Sequence, residues 1–371
     1  MNPINPTAAA TTYDVNSEAS LNSALTAIAA SDTPAVINVT GPFTITSPVT
    51  LPAKDITIEG NGAETQITRG VKGDLFTVPA GGNLTLDNIV IDGNRTAYNA
   101  SATGGAGGSL IKNSGTLTVN NGTVLRNNDN STTGVDTTGG AVNNTSTGAF
   151  TMNGGHIYRN SAVYGGGVNN NGAMVMTGGE ISDNDSGAYG GAVYNSGGFD
   201  MTGGDMIGNW SGAYGGALYT TDLSKTEIGQ DAAFSCNFAT LAYTNDVSSN
   251  SNYNTNIQNT DWTYPFTNGY NNWDIGDPNV GSGTLAQLTT VLVNYDTNGG
   301  QPNDIPSRRV VEGGVACPLN APEKPGYDLC GWYLDPELTI PYDGSPIDEN
   351  TTLYAKWCSG PWLSPCQCKG L

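Results

Sequence analysis

Apolar and polar residues alternate with a period of two along most of the first 275 residues. The runs AVINVT (35–40), PFTITSPVTL (42–51), DITIEG (55–60) and NLTLDNIVIDG (83–93) read as strands, with Gly and Pro at the breaks. One stretch departs from this pattern. In SEASLNSALTAIAA (17–30), Leu21, Leu25 and Ile28 fall on one helical face behind a Ser17 or Ser20 cap. From Gly139 the alternation itself becomes periodic. GGAVNNTSTGAFTMNGGHIYRNSAVY (139–164), GGGVNNNGAMVMTGGEISDNDSGAY (165–189) and GGAVYNSGGFDMTGGDMIGNWSGAY (190–214) follow head to tail, and GGALY opens a fourth copy at Gly215. A fixed period of about 25 residues predicts a stack of like supersecondary units.

Short strands with glycine pairs between them, and no helical period, make each unit one turn of a β-solenoid. Neighbouring turns then lie about 4.8 Å apart and equivalent residues form columns. The expected apolar columns are Val142, Val168, Val193 and Leu218; Met152, Met176 and Met201; and Ile157, Ile181 and Met206. Three residues beyond the last column comes an asparagine. Its offset, carried outward through Leu86–Ile91 and Val119–Val124, predicts one ladder of Asn94, Asn127, Asn160, Asn184, Asn209 and Asn237. Buried amides bonding each other and the turn backbone make this ladder structural. Tyr164, Tyr189 and Tyr214 each precede a glycine pair and form a second column, with Trp210 nearby. Stacked rings stiffen such a corner and also make a contact face, so these four are the candidate binding residues.

The fold class expected is all-β: a right-handed parallel β-helix with a smaller C-terminal β module. Residues 1–34 form an arm and capping helix, the first 13 carrying no pattern. Residues 35–275 form the β-helix with its C-terminal cap, in which Trp262, Tyr264, Pro265, Phe266, Tyr270 and Trp273 are expected to cover the open core. Loops are expected at 95–108 and 128–138. Residues 276–290 are a linker, 291–357 the second domain, and 358–371 a Cys-rich tail.

Charge narrows the classes of partner. Thirteen Lys and Arg face 33 Asp and Glu, a net of −20. Such a chain does not seek nucleic acid or anionic membranes. Between Gly139 and Thr220 the only cation is Arg159. No run of 18 apolar residues predicts a membrane span. The start, MNPINPTAAATTY, has no basic and apolar signal pattern, so a secreted protein would have its signal peptide and anchor outside this chain. Cys236 is expected to be a buried free thiol. Cys317, Cys330, Cys358, Cys366 and Cys368 suit disulfides whose pairing stays open, and one histidine argues against a zinc site.

Three resemblances follow from these residues. DITIEGNG resembles the opening coils of the pectate-lyase-like superfamily. The repeated GGAV or GGAL, with coils ending as in Phe234-Ser-Cys-Asn237, is similar to chlamydial polymorphic membrane proteins and adhesin-like β-helix proteins of gut bacteria and archaea. In the second domain VNYDTNGG (293–300), Gly313-Gly314, PEKPGY (322–327), GWYLD (331–335) and TLYAKW (352–357) resemble the Listeria–Bacteroides repeat of the internalin B type. That resemblance implies a β-grasp-like module serving as a stalk or spacer on secreted surface proteins. Trp332, Tyr333, Tyr354 and Trp357 are the expected core, and Cys317 and Cys330 depart from the usual pattern.

An enzyme has to be weighed, since β-helices also carry polysaccharide lyases and hydrolases. The best acids are Asp183 and Asp185, with Arg159 and Arg126 expected in the same rung as Asp183. Glu180 and Asp205 share a column with His156. Stacked Arg and Asp are more simply surface ion pairs, and a lone His beside acids is usually structural. The expectation is a secreted or cell-surface adhesin-like protein with no catalytic residues, no metal and no cofactor. Its partners would be carbohydrate or a host- or neighbour-cell surface protein, with no nucleic acid and no membrane insertion, and self-association is open. The alternatives are a carbohydrate-active enzyme and a structural envelope or filament subunit.

Overall fold

The computed structural model describes residues 9–99, 104–131, 137–241, 274–276 and 289–359, apart from 302, 304, 306, 317–321 and 323. The chain divides into two compact units, Met1–Leu285 and Ala286–Leu371.

The first unit is all-β apart from the helix Glu18–Ala29 and one short 3-10 turn, among the described residues. Its strands form parallel sheets of 13, 8 and 5 strands. The repeat 165–189 shows how. Val168–Asn170 joins the eight-stranded sheet, Ala173–Met176 and Glu180–Ser182 the broad sheet, and Asp185–Tyr189 the five-stranded sheet. Each strand lies parallel to its equivalent in the repeats before and after. These long parallel sheets are compatible with a β-helix. The three apolar columns fall in register and line one continuous core. Buried on the inside of every strand, they supply most of the stabilisation, at about 25 cal/mol per Å² of apolar surface removed from water.

Between the broad and five-stranded sheets the chain turns through one residue with positive φ: Asn127 (57°), Arg159 (57°), Asp183 (50°), Gly208 (64°) and Cys236 (58°). The residue after this corner is the ladder position. Asn160, Asn184 and Asn209 each donate Nδ2–H to the next Oδ1, at 3.0, 3.1 and 2.9 Å, and Asn237 Nδ2 donates to Asp274 Oδ1 at 2.9 Å. Each Oδ1 also accepts the backbone N–H of the preceding ladder residue. The ladder therefore needs the sharp corner, which brings side-chain amides and orphaned backbone groups together.

Upstream, the expected ladder is out by one. The residue that donates its backbone N–H to Asn160 Oδ1 is Asn128, not Asn127. The cause is a corner one residue longer. Val119 pairs with Met152, but Leu125, not Val124, pairs with Ile157. Asn127 instead takes the positive-φ corner. Asn94 keeps its offset from Ile91, which pairs with Leu125. It has positive φ itself, which asparagine tolerates better than most residues, and sends Nδ2 to Arg69 O at 3.1 Å. The same shift separates Arg126 from the Arg159–Asp183 column.

Further differences concern the first turns. Residues 11–13 are not a patternless arm, because Thr11–Val15 pairs with Ala35–Val39. The helix does form as expected, with a Ser17–Ser20 capping box and Leu21, Leu25 and Ile28 buried. Asp129–Asn130 is a strand, so the second loop begins later than 128. Arg69 is fully buried and donates to the carbonyls of Val71, Gly73 and Ser109, a cross-tie between turns that sequence reading missed. Burial pulls its guanidinium down to about 10, against opposing charge from Asp74 and Tyr98. Cys236 is half-buried and disulfide-bonded, not a buried free thiol, and it occupies the positive-φ corner before the ladder residue rather than a core column. The aromatic cluster Trp262–Trp273 lies outside the described residues.

The second unit holds a four-stranded sheet in the order Arg308–Val311, Thr290–Asp296, Thr351–Ser359, Tyr327–Tyr333. Its central pair is parallel and its outer pairs antiparallel. The core is Val291, Val293, Tyr295, Trp332, Leu353 and Ala355. Tyr333 and Tyr354 stay half-exposed because they alternate with the inward positions, whereas half-exposed Trp357 shares the face of Leu353 and Ala355 and donates its Nε1–H to Thr297 O at 2.8 Å. A disulfide joins Cys330 to Cys358 on adjacent strands.

Candidate functional site

The glycine pairs at 165, 190 and 215 turn the chain from the five-stranded into the eight-stranded sheet, and the residue before each is tyrosine. Gly165, Gly190 and Gly215 have φ near 66° (63°, 68° and 66°), and a Cβ there would sit 2.1–2.3 Å from a backbone oxygen. This corner requires glycine, and so fixes where the tyrosines stand.

Tyr164 and Tyr189 stack with centroids 5.8 Å apart, and Tyr189 and Tyr214 at 6.2 Å. The column is not alone. Across the glycines, Tyr194 and Tyr219 occupy neighbouring strands of the eight-stranded sheet, in register with Asn169 and Asn143. Tyr189 lies 4.6 Å from Tyr219, Tyr194 lies 5.3 Å from Tyr219, and Tyr164 meets Tyr194 edge-on at 5.5 Å. The site is therefore five tyrosines from four successive repeats, Tyr219 coming from the copy that opens at Gly215. All but Tyr219 are half-buried. The missed pair was signalled by the alignment of VNN (142–144), VNN (168–170), VYN (193–195) and LYT (218–220). Trp210 stands apart, in register between Asp185 and Phe238 in the five-stranded sheet.

The same alignment carries a second asparagine ladder that sequence reading passed over. Asn113, Asn144 and Asn170 each donate Nδ2–H to the next Oδ1 at 2.7 Å, and Asn195 donates to Thr220 Oγ1 at 3.2 Å. It is wholly buried and anchors the eight-stranded sheet beneath the tyrosines.

The charged candidates lie on other faces. Arg95 donates to Ser161 Oγ at 2.8 Å, and Ser161 is in register between Asp129 and Asp185. Burial pushes the Asp185 carboxyl up to about 6, with Arg95 opposing and Asp183 and Asp129 adding to it. Arg126 bonds Asp92 at 2.8 Å and Tyr158 Oη at 2.9 Å and does not join Asp183. His156, Glu180 and Asp205 are adjacent in register, and burial followed by Glu180 raises the Asp205 carboxyl. His156 Nε2 meets both Ser182 Oγ (2.7 Å) and Glu180 Oε1 (3.3 Å). A nucleophile triad needs acid and hydroxyl on opposite ring nitrogens, and Ser182 is fully buried, so this trio is not one. Among the described residues no group of His, Cys, Asp or Glu is arranged to hold a metal ion, and no helix is long and apolar enough to cross a membrane.

In the second unit a groove is lined by Pro322, Lys324, Pro325, Tyr327, Asp328, Leu329 and Trp357. Lys324 Nζ sits over the Tyr327 and Trp357 rings (5.3 and 5.8 Å) and bonds Asn298 O, so it holds the loop to the sheet. No curated protein and no solved structure matches the chain. Residues 292–356 match the Listeria-Bacteroides repeat domain, a repeat found in surface proteins.

Proposed function

We propose that the chain is a secreted or cell-surface adhesin-like protein. A right-handed parallel β-helix presents the tyrosine corner as its contact surface, and the repeat module acts as a spacer. The observation that carries this reading is the gathering of Tyr164, Tyr189, Tyr194, Tyr214 and Tyr219 at one corner by the repeat itself. Four of these large rings keep solvent access where the same fold buries every apolar column. Aromatic side chains of this kind dominate contact energetics at low entropic cost. The test is retention of whole cells and envelope fragments on beads carrying the protein. Substituting Tyr164, Tyr189 and Tyr214 together by Ser, with an unchanged circular dichroism spectrum, is expected to lower retention by about tenfold or more. Equal retention overturns the reading.

One observation favours a second reading, a polysaccharide hydrolase. Glu180 and Asp205 are adjacent in register, and burial followed by Glu180 raises the Asp205 carboxyl above its ordinary value. Release of reducing sugar from polysaccharide mixtures, abolished by Glu180→Gln, would favour it over the adhesin-like reading.

A further inference from the structure

The tyrosine corner differs from the rest of the first unit in charge. One column runs Thr138, Tyr164, Tyr189, Tyr214, and the other Asn143, Asn169, Tyr194, Tyr219. Neither contains an Asp, Glu, Lys or Arg, in a chain whose net charge is −20. The next residue along the second column, Lys112, pairs with Asp74 at 3.6 Å. The acids of these repeats stand in other columns: Glu180 and Asp205 in the broad sheet, and Asp129 and Asp185 at the far end of the five-stranded strands, Asp185 four residues before Tyr189.

Ring geometry says what a ligand meets there. Tyr164 and Tyr189 are inclined by 28°, Tyr189 and Tyr214 by 16°, Tyr194 and Tyr219 by 15°, and Tyr189 and Tyr219 by 21°. Near-parallel neighbours cover much of each other's faces. What they leave to solvent is ring edges, phenol hydroxyls and the strips of face that the offset uncovers. Burial, then Tyr164 and Tyr189, raise the Tyr194 phenol above its ordinary value, which keeps that hydroxyl neutral and able to donate. The surface thus combines apolar ring edges with phenol hydroxyls, repeated along the columns at ring spacings of 5.3–6.2 Å.

From this we infer that the corner binds an uncharged polysaccharide laid along the tyrosine columns. The inference rests on the reading of this corner as the contact surface and adds the class of its ligand. A sugar ring offers apolar C–H patches and hydroxyls, which match edges and phenols. A polyanion would find no cation among the tyrosines, the nearest in register being Lys112 beside Asp74, and would be repelled by the net charge. A polycation would find its counter-charges on the rows of Glu180 and Asp205 and of Asp129 and Asp185, outside the tyrosine columns. Because the columns repeat, a polymer makes the same contact several times, so affinity rises with chain length without any new kind of contact.

The test is calorimetric titration of the full chain with neutral oligosaccharide series (gluco-, manno-, xylo- and N-acetylglucosamine oligomers) from dimer to hexamer. Polygalacturonate and chitosan serve as the anionic and cationic probes, each at low and high salt. At least one neutral series is expected to bind, with affinity rising about tenfold or more along the series and little changed by salt. Tyr189→Phe and Tyr194→Phe keep the rings and remove the hydroxyls, and each should weaken binding several-fold. Binding only to a charged probe, weakened by salt, overturns the ligand class. So does an absence of neutral binding while retention on beads still depends on the tyrosines, and that outcome leaves the contact reading standing. Neutral binding untouched by Tyr189→Ser and Tyr194→Ser overturns the placement of the ligand on this corner. Retention untouched by the triple serine variant overturns the contact reading itself.

Discussion

Two buried asparagine ladders run through the first unit, and they are not equivalent. Both pass Nδ2–H forward to the next acceptor. The corner ladder, Asn160 to Asn237, also draws a backbone N–H onto each oxygen and ends on the carboxylate of Asp274. The ladder of the eight-stranded sheet, Asn113 to Asn195, couples to backbone carbonyls through its donors and ends on the hydroxyl of Thr220. One is tied to the main chain from both sides of the amide and ends on an ionisable group. The other is tied mainly from one side and ends on a neutral one. Hydrogen-bond count and terminal charge, not burial, set what each ladder does for stability.

The sharpest break in this comparison is truncation at equivalent rungs. Asn184→Ala removes the side-chain partner of the Ile157 carbonyl and of the Asn160 N–H, and takes one of two donors from Ser182 O, which keeps the Arg159 N–H. Its expected cost is about 4 kcal/mol in urea unfolding. Asn170→Ala orphans Gly198 O and one side of two neighbouring amides, and should cost about 2 kcal/mol. Equal losses would mean that main-chain coupling does not distinguish the ladders.

The next effect is a matter of pH. Burial raises the Asp274 carboxyl to about 6, against the donated Asn237 amide that lowers it. An acid with a higher pKa when folded binds its proton more tightly in the native state. Its contribution is therefore full below about pH 4 and is lost as pH rises through about 6, a loss of about 3 kcal/mol. Asp185, also raised to about 6, acts in the same window and the same direction. Asp274→Asn keeps the acceptor and removes the charge. It should raise stability at pH 7.5 by about 3 kcal/mol and flatten the fall between pH 4 and 6, leaving the part due to Asp185. A variant whose pH profile overlays the parent's would show that Asp274 does not bury its charge. The smallest effect belongs to the neutral end. Thr220→Val removes an acceptor from Asn195 and a partner from Thr226, and should cost about 1 kcal/mol at every pH in that range.

Much of the architecture was legible because the repeat is tight. Once Gly139, Gly165, Gly190 and Gly215 are aligned, the columns of Val142, Met152 and Ile157 follow, and the structure pairs those residues. Legibility failed where a corner changed length. Asn127 was placed on the ladder by counting from Val119, and one additional residue before Leu125 moved the rung to Asn128. Period two has no memory across a corner, so a one-residue insertion passes unseen. The second ladder was written in the aligned VNN motifs, but an interior strand end was not suspected of being polar. Of the candidate site, the Tyr164 column was readable, whereas Tyr194 and Tyr219 required knowing that the glycine corner folds one column against the other. Trp210 shares the five-stranded sheet with Tyr164 and Tyr189, but strand register sets it beside Asp185 and Phe238, outside the tyrosine column. Cys236 sits at a positive-φ corner, a position that apolar periodicity does not mark.

The in-register repeat also makes length a heritable quantity that changes in whole steps. Residues 165–189 add one strand to the eight-stranded and five-stranded sheets, two to the broad sheet, one rung to each ladder and one tyrosine to the corner column. Their loss would set Val142 beside Val193, Met152 beside Met201 and Asn160 beside Asn209, like beside like. Unequal exchange between such similar repeats can lengthen or shorten the protein by about 4.8 Å at a time. Each step leaves no cut edge in the core, and reach and valence at the tyrosine corner rise or fall together.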